Sequence, residues 1–273
     1  MTEVLLTTAL WTAAAMATLW LVSLALRDAS IVDIWWGPGF VLIAAVAYLT
    51  VPDVGPRGTL LVIATALWGL RLGVYLFVRN AGHGEDPRYQ AMRRHWGPRF
   101  AWVSAVTVFT LQGVLQWVVS LPAQVGIAAG SAAGELGALA YLGVAAFALG
   151  LGFEALGDIQ LSRFRADPAN AGQVMNRGLW RYTRHPNYFG DCVAHWGIFA
   201  IAWTGVASAF TLIGPALMTF LLLRVSGVAM LERSMHKRRP EYARYQAETN
   251  AFFPGRWRTQ ERPDRTRTNG DAS

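Results

Sequence analysis

Apolar residues dominate the chain in long runs, and short polar segments separate one run from the next. An α-helix rises about 1.5 Å per residue, so about 20 apolar residues cross a hydrocarbon core of about 30 Å. The pattern therefore predicts an all-α fold, a polytopic bundle of about seven transmembrane helices. The predicted spans cover residues 4–26, 34–51, 59–78, 101–128, 137–156, 189–206 and 209–226.

The first apolar run is expected to remain in the protein as a span. Residues 4–26 carry no charge, and the run is too long for the apolar core of a signal peptide. Glu3 also stands where such a peptide carries basic residues. We therefore interpret this run as the first membrane helix.

The polar segments alternate between basic and nearly uncharged. Arginines concentrate in residues 79–100, in residues 157–188 and after the last span, whereas the connections between them carry few charges. Because basic loops stay in the cytoplasm, this asymmetry predicts an outer N-terminus and a cytoplasmic C-terminus. The three basic segments then share one side of the membrane, where they can contribute to one site.

The chain contains no clear soluble domain, and residues 1–254 are predicted to form a single transmembrane domain. Residues 228–250 carry a partial apolar stripe against a basic face, which is typical of a helix lying on the membrane surface. Residues 255–273 are polar without an apolar period and are predicted to be disordered. The stripe consists of Met230, Leu231, Met235, Tyr242 and Tyr245.

Composition narrows the class of protein. Only 15% of the residues are charged, against about 25% in soluble domains. The net charge of +7 comes almost entirely from arginine, which suits contacts with lipid headgroups. Nucleic acid is not an expected partner, because the arginines lie between spans and no soluble basic domain exists. The single cysteine, Cys192, excludes an internal disulfide and any cysteine-rich metal site.

Ionisable residues within spans are costly and therefore indicate function. Asp33 begins the second span, either as a helix N-terminal carboxylate or as an acid kept protonated by an apolar cavity. Glu154 and Asp158 lie four residues apart, on one helix face. We take Asp33 as the candidate catalytic acid and keep Glu154 as the alternative.

The densest group of candidate residues is the run from Gly178 to Asp191, GLWRYTRHPNYFGD. Pro186 ends helical structure before it and can start a helix after it. Arg181, Arg184 and His185 are therefore expected in a non-helical segment at the mouth of a span. Arginines, a helix N-terminus and aromatic rings suit a phosphorylated ligand with a flat ring, although a basic anchor with interfacial aromatics is the alternative.

Two other patterns are less informative. Asp191 and His195 are spaced for one helix face, but two ligands do not make a zinc site and no H-E-x-x-H occurs, so no metal is predicted. Gly150, Gly152 and Ala155 fit G-x-G-x-x-A, yet no strand precedes them. Small residues within an apolar helix indicate helix packing instead.

The run from Gly178 to Asp191 resembles the C-terminal signature of the steroid 5-alpha-reductase family and its sterol-reductase relatives, and is most similar to their bacterial members. Glu232-Arg233, Pro240-Glu241-Tyr242 and Phe252-Phe253-Pro254 resemble the end of that family. The resemblance extends over residues 150–254 and is weaker over residues 33–39 and 68–89. It implies a multi-pass protein of the bacterial inner membrane that uses NADPH to reduce an activated C=C bond in an apolar substrate taken from the bilayer.

The resemblance also assigns cofactor-binding residues. Asn187 and Asp191 match polar contacts to NADPH, and Asp158 and Arg165 match the preceding helix end. In the steroid enzymes, a Gln-Glu pair on the second span and a tyrosine on the third hold the enone oxygen; here Asp33 and Trp68 fall near those places. This departure makes a steroid substrate less certain than the cofactor. The remaining matches are Arg71, Arg184, His185 and Tyr188.

Two other functions remain open on the sequence. Isoprenylcysteine and phospholipid methyltransferases, which use S-adenosylmethionine, share an Arg-His-Pro-x-Tyr element, although they usually lack the asparagine that stands here as Asn187. A non-enzymatic lipid-binding membrane protein is the third interpretation. The sequence identifies neither the substrate nor a protein partner.

Overall fold

The computed structural model describes residues 1–225, 228, 232 and 241–256, and these residues form helices and connections but no β-strand. This confirms the predicted all-α fold. The α-helices are α1 (Thr2–Leu26), α2 (Ile31–Thr50), α3 (Pro56–Asn80), α4 (Pro87–Trp96), α5 (Phe100–Ser104), α6 (Leu111–Val119), α7 (Leu121–Ala128), α8 (Ala138–Ala166), α9 (Pro186–Ala202), α10 (Ile213–Phe220) and α11 (Tyr242–Glu248). Short 3₁₀ helices cover Gly97–Arg99, Ser131–Ala133, Pro168–Asn170, Gly178–Arg181 and Val206–Leu212, and π-helical turns cover Ala105–Thr110 and Leu221–Val225.

Within the described residues, six helical stretches are long and apolar enough to cross a membrane. This supports a multi-pass membrane protein. The predicted sixth span corresponds to α9, whose 17 residues extend only about 26 Å. The predicted count of seven is therefore approximate. The six stretches are Thr2–Leu26, Ile31–Thr50, Pro56–Asn80, Pro87–Val119, Ala138–Ala166 and Val206–Val225.

The fourth span differs most from its predicted bounds of residues 101–128. The helical stretch begins earlier, at Pro87, and ends at Val119. Ser120 separates it from α7, in which Pro122 occupies the first turn. Proline has no N–H to continue the helix behind it, so an uninterrupted apolar run is divided into two helices.

Two predictions fall partly or wholly outside the described residues. Met230, Leu231 and Met235 of the predicted surface helix lie there, whereas Tyr242 and Tyr245 are described, lie in α11 and are buried. The predicted disordered tail is described only at residues 255–256.

The chain divides into two compact units. The first unit contains residues 1–151 and 192–220, and the second contains residues 152–191 and 221–273. The boundaries fall inside α8 and α9, so each of these helices contributes residues to both units. The prediction of one domain over residues 1–254 stays a prediction.

In the first unit, α2 and α3 approach so closely that their backbones touch. A Cβ atom added to Gly37 would lie 2.2 Å from the carbonyl oxygen of Gly69, and one added to Gly69 would lie 2.5 Å from that of Gly37. Such contacts are how membrane helices gain packing energy without a hydrophobic force between them. Glycine is therefore required at both positions.

The buried side chain of Gln116 connects α6 to α2 close to Pro38. Its Nε2 donates to the carbonyl oxygen of Trp36 at 2.7 Å. Pro38 has no N–H, so the carbonyl that loses its usual helical donor is that of Ile34, four residues earlier. The Gln116 bond therefore joins the two helices and does not replace the hydrogen bond that Pro38 lacks.

Buried Arg57 performs a similar task at the end of α9. Its guanidinium donates to the carbonyl oxygens of Ile201 (2.5 Å) and Trp203 (3.1 Å). A cation at a helix C-terminus is favoured by the helix dipole. Arg57 therefore stabilises the last turn of α9.

Exchanging Gly37 for alanine tests the α2–α3 contact. We expect Gly37→Ala to lower the free energy of unfolding by about 1–3 kcal/mol, because the backbones must separate. Gly152→Ala makes the same chemical change in α8, where nothing lies within 4 Å of the new Cβ. It should leave stability unchanged or raise it. Thermal unfolding in detergent measures both, and equal midpoints would contradict the contact.

Candidate functional site

The second unit contains the signature run, and the local sequence explains its shape. Gly178 adopts a positive φ of 59°, which favours glycine. The N–H of Leu179 then reaches Oε1 of Gln160 on α8 (2.9 Å). Trp180 donates from Nε1 to the carbonyl oxygen of Gly157 (3.1 Å). These bonds fix the run against the end of α8, and Pro186 begins α9 as the sequence predicts.

The same run is bound to the C-terminal segment. Thr183 is fully buried and its hydroxyl donates to the carbonyl oxygen of Phe252 (2.8 Å). The backbone N–H of Arg184 donates to the carbonyl oxygen of Asn250 (2.9 Å). The hydroxyl of Tyr245 donates to the carbonyl oxygen of Trp180. The two segments that carry the family resemblance, the run from Gly178 to Asp191 and the C-terminal segment, are therefore joined by hydrogen bonds.

Arg184 is the centre of this arrangement. Its Nε and Nη2 lie 2.8 and 2.7 Å from Oε1 of Glu232. Its Nη1 donates to the carbonyl oxygens of Gln246 (3.1 Å) and Thr249 (2.6 Å). The guanidinium is thus mostly engaged within the chain. The sequence places Arg184 among the cofactor-binding residues, and the structure places it in a clamp that holds the C-terminal segment.

Electrostatics keep Glu232 ionised in this clamp. Burial alone would raise its pKa, but hydrogen bonds from His185 and Arg184, with the charge of Arg184, lower the pKa below its ordinary value. Burial also raises the pKa of Tyr242 to about 12, with the charge of Glu232 contributing. Tyr242 therefore remains a neutral phenol beside the ion pair.

Asn187 and Asp158 form the polar pair nearest the start of α9. Nδ2 of Asn187 donates to Oδ1 of Asp158 at 3.1 Å, and Asp158 is buried. Because a carboxylate can only accept, this bond fixes the orientation of the amide. Oδ1 of Asn187 is then buried without a hydrogen-bond partner in the described part of the chain. An unsatisfied buried acceptor is costly and indicates a place for a donor.

The other predicted residues of the second unit lie on α8, on α9 or directly before α9. His185 and Tyr188 stack with their rings parallel, 5.6 Å between centroids, and Nε2 of His185 lies 3.3 Å from Glu232. Glu154 and Asp191 are buried. Arg165 is exposed at the end of α8 and forms no ion pair with a described residue.

In the first unit, Asp33 is not an isolated acid in an apolar cavity. Its Oδ1 accepts a hydrogen bond from the hydroxyl of Tyr89 (2.8 Å), and its Oδ2 accepts one from Nη2 of Arg88 (2.7 Å). Gln112 donates to the same tyrosine oxygen (3.3 Å). Asp33 lies in the first turn of α2, as the helix N-terminal alternative predicts, and its carboxyl group holds the tyrosine hydroxyl.

A second cluster in the first unit consists of aromatic rings around fully buried Trp68. The ring of His195 lies 4.6 Å from that of Trp68, and Phe40 contacts both. Nε1 of Trp68 and the hydroxyl of Thr65 are buried without hydrogen-bond partners among the described residues. Arg71, one turn further along α3, is half-buried and engaged in interactions of its own.

No group of three or more histidine, cysteine, aspartate or glutamate side chains suited to a metal ion occurs in the part of the chain that the structure describes. Asp191 and His195 stand on one helix face, as predicted. The prediction that no metal is bound stays a prediction.

Comparison with known proteins gives the family. Residues 19–249 match the family described as "protein of unknown function (DUF1295)". The chain belongs to DUF1295. No curated protein and no solved structure matches this DUF1295 chain.

Sequence reasoning did not identify the partners that the structure gives to the predicted site residues of this DUF1295 chain. Arg88 and Tyr89 lie 55 and 56 residues from Asp33, inside the basic segment of residues 79–100, and no sequence pattern connects them with it. Glu232 was noted as part of the resemblance but not as the counter-ion of Arg184. Its position as the first acid after the last predicted span, in a segment rich in arginine, was the available signal.

Protonation of Glu232 tests the clamp. Its folded pKa is below the ordinary value of 4.5, so its contribution is present above that value and is lost as pH falls through the folded pKa. We expect Glu232→Gln to cost about 1.5–3 kcal/mol at neutral pH and to reduce the loss of stability below pH 4.5. Thermal unfolding against pH measures this.

Glu241→Gln is the matched control, because Glu241 is exposed and forms no ion pair with a described residue. It should reproduce the pH profile of the unchanged protein. If the clamp does not contribute to stability, Glu232→Gln and Glu241→Gln will show the same dependence of stability on pH.

Proposed function

We propose that this protein is a membrane reductase that uses NADPH to reduce an activated C=C bond, enone-like, in an apolar substrate taken from the bilayer. The observation that carries the proposal is the buried, unpartnered Oδ1 of Asn187, held in place by Asp158. The carboxamide of a nicotinamide ring offers the N–H donor that this oxygen lacks. The resemblance assigns the same residue to the cofactor.

The charges of the second unit suit the phosphates of such a cofactor. Arg163, Arg165 and Arg177 are exposed, and none of them forms an ion pair with a described residue. Of these, the resemblance assigns Arg165 to NADPH. Arginine forks bind phosphate oxygens in pairs, which makes them suited to this ligand. Arg184 has a different role in the proposal, since its guanidinium orders the segment that carries His185, Asn187 and Tyr188.

When bound, NADPH supplies hydride to the electron-poor carbon of the substrate. The residues of the chain position it and manage the proton. Asn187 would accept a hydrogen bond from the cofactor's amide, and Asp158 holds Asn187 in the accepting orientation. Exclusion of water on binding would strengthen these polar contacts.

For the proton, the candidate acid is Asp33 acting with Tyr89. The Tyr89 hydroxyl has one hydrogen, which it donates to Oδ1 of Asp33, while Arg88 pairs with Oδ2. To stabilise the oxygen on which charge develops, this hydroxyl would have to turn from Asp33 to that oxygen and donate the same hydrogen there. Glu154 is the alternative acid.

Calorimetric titration with NADPH tests the cofactor. We expect Asn187→Ala to weaken binding about tenfold, the effect of losing one buried hydrogen bond. Arg165→Gln should weaken it by a similar factor through lost phosphate contact. Arg163→Gln removes the same charge from the same helix and should change affinity less than twofold at moderate salt.

Titration with S-adenosylmethionine separates the reductase from a methyltransferase. Stabilisation by S-adenosylmethionine, with no response to NADPH, would overturn the proposal. If Arg163→Gln and Arg165→Gln lower NADPH affinity equally, the arginines act through general electrostatic attraction and not through direct contact with a phosphate.

Exchanging Asp33 tests the proton donor. Asp33→Asn should leave NADPH affinity unchanged and lower kcat by about 10²–10⁴, the usual contribution of general acid–base catalysis. The measurement is oxidation of NADPH in the presence of a panel of steroid and isoprenoid enones. Asp86→Asn, which removes the other partner of Arg88, is the control and should retain most of the rate. An undiminished rate in Asp33→Asn would transfer the role to Glu154.

A further inference from the structure

A groove of about 510 Å³ runs along the first unit between α1 and the helical stretch of residues 105–118. Its walls are apolar, and residues 105–118 extend it over about 20 Å, more than half the thickness of a hydrocarbon core. The lining residues are Ala9, Thr12, Ala13, Met16, Ala17, Trp20, Ala105, Phe109, Thr110, Gly113, Val114, Trp117 and Val118. A long apolar chain fits this shape.

The polar atoms at the two ends of the groove are already satisfied. Trp20 donates from Nε1 to the carbonyl oxygen of Ala101 (2.9 Å). Trp117 donates to the carbonyl oxygen of Leu5 (3.3 Å) and to the hydroxyl of Thr8 (3.2 Å). The groove therefore offers its occupant apolar contact and requires no hydrogen bond in return.

The stretch Pro87–Val119 is longer than a bilayer core requires. It has 33 residues, whereas about 20 residues cross the hydrocarbon, and Gly97, at a φ of 54°, ends α4 before the apolar part begins at Phe100. All of its charged residues lie within residues 88–99. Because charges are costly in hydrocarbon, this first part suits the headgroup layer, and the groove lining begins six residues after Arg99.

Two of the cations in this headgroup segment are neutralised within the chain. Arg88 pairs with Asp33 and Asp86 at 2.7 and 2.9 Å. Arg93 pairs with Glu85 at 2.7 Å. Their charges are not available to a ligand.

Arg94 and Arg99 are exposed, and neither forms an ion pair with any residue that the structure describes. Arg99 lies one helical turn before Trp102, which is 72% exposed. The ring of Trp102 lies 5.5 Å from that of Trp20, the residue at the end of the groove. An unneutralised cation, an interfacial tryptophan and an apolar groove thus follow one another along one path.

We propose that this path binds one anionic phospholipid, with its phosphate at Arg99 and an acyl chain in the groove. A phospholipid combines the two chemistries that the path presents in that order, an anion and then a long apolar chain. A helix from a second copy could fill the groove but would leave Arg99 without a counter-ion. The proposal is independent of the reductase function.

The test uses the full-length protein reconstituted in bilayers of phosphatidylcholine and phosphatidylglycerol at seven to three, then released into detergent for native mass spectrometry. We expect one phosphatidylglycerol to remain bound to the unchanged protein. Ala13→Leu with Ala17→Leu fills the groove and should reduce the retained fraction at least fivefold. Arg99→Gln should reduce it to a similar extent.

Two matched controls keep the result specific. Ala14→Leu adds the same side chain to an exposed position of α1 outside the groove lining, and Arg163→Gln removes an exposed arginine from the second unit. Both should retain the lipid. Equal retention in all variants, or equal retention of phosphatidylcholine and phosphatidylglycerol, overturns the proposal. A groove-filling variant that abolishes a dimer without changing lipid retention assigns the groove to a second copy instead.

Discussion

The ion pair between Arg184 and Glu232 organises the second unit. The guanidinium of Arg184 donates hydrogen bonds to one carboxylate and to two backbone carbonyls. A single side chain therefore fixes the position of the segment before α9. Removing one partner would leave a largely buried charge, which costs far more than the pair itself contributes. The stacked His185 and Tyr188 rings and the amide of Asn187 depend on that segment. The candidate cofactor residues are thus held by a contact that need not touch the cofactor.

Elsewhere in the chain, too, side chains satisfy buried backbone carbonyls, because a bilayer offers no water to form hydrogen bonds with them. Gln116 donates to the Trp36 carbonyl of α2, and Arg57 donates to the last carbonyls of α9. The buried polar atoms without a hydrogen bond among the described residues include Oδ1 of Asn187, which the resemblance assigns to the cofactor.

The sequence predicts where the helices lie, but it does not predict which side chains of different helices contact one another. Apolar runs predict spans because length and hydropathy are local properties, and Pro186 marks the start of α9 for the same reason. The break at Ser120 was not predicted, because Pro122 lies inside an apolar run. The missing N–H of Pro122 is the local signal of that break. The sequence left open whether Asp33 is a helix N-terminal carboxylate or an acid in an apolar cavity, because its partners, Arg88 and Tyr89, come from a distant segment. No periodic pattern links residues that only tertiary structure brings together.

The shortness of α9 has a consequence for the surrounding membrane. A helix that extends about 26 Å cannot match a hydrocarbon layer of about 30 Å without help. Its terminal carbonyls are bound by the guanidinium of Arg57, which is buried within the protein and is not exposed to lipid. Where α9 faces lipid, the bilayer has to thin locally by a few ångströms, at a cost of fractions of a kcal/mol per ångström of mismatch.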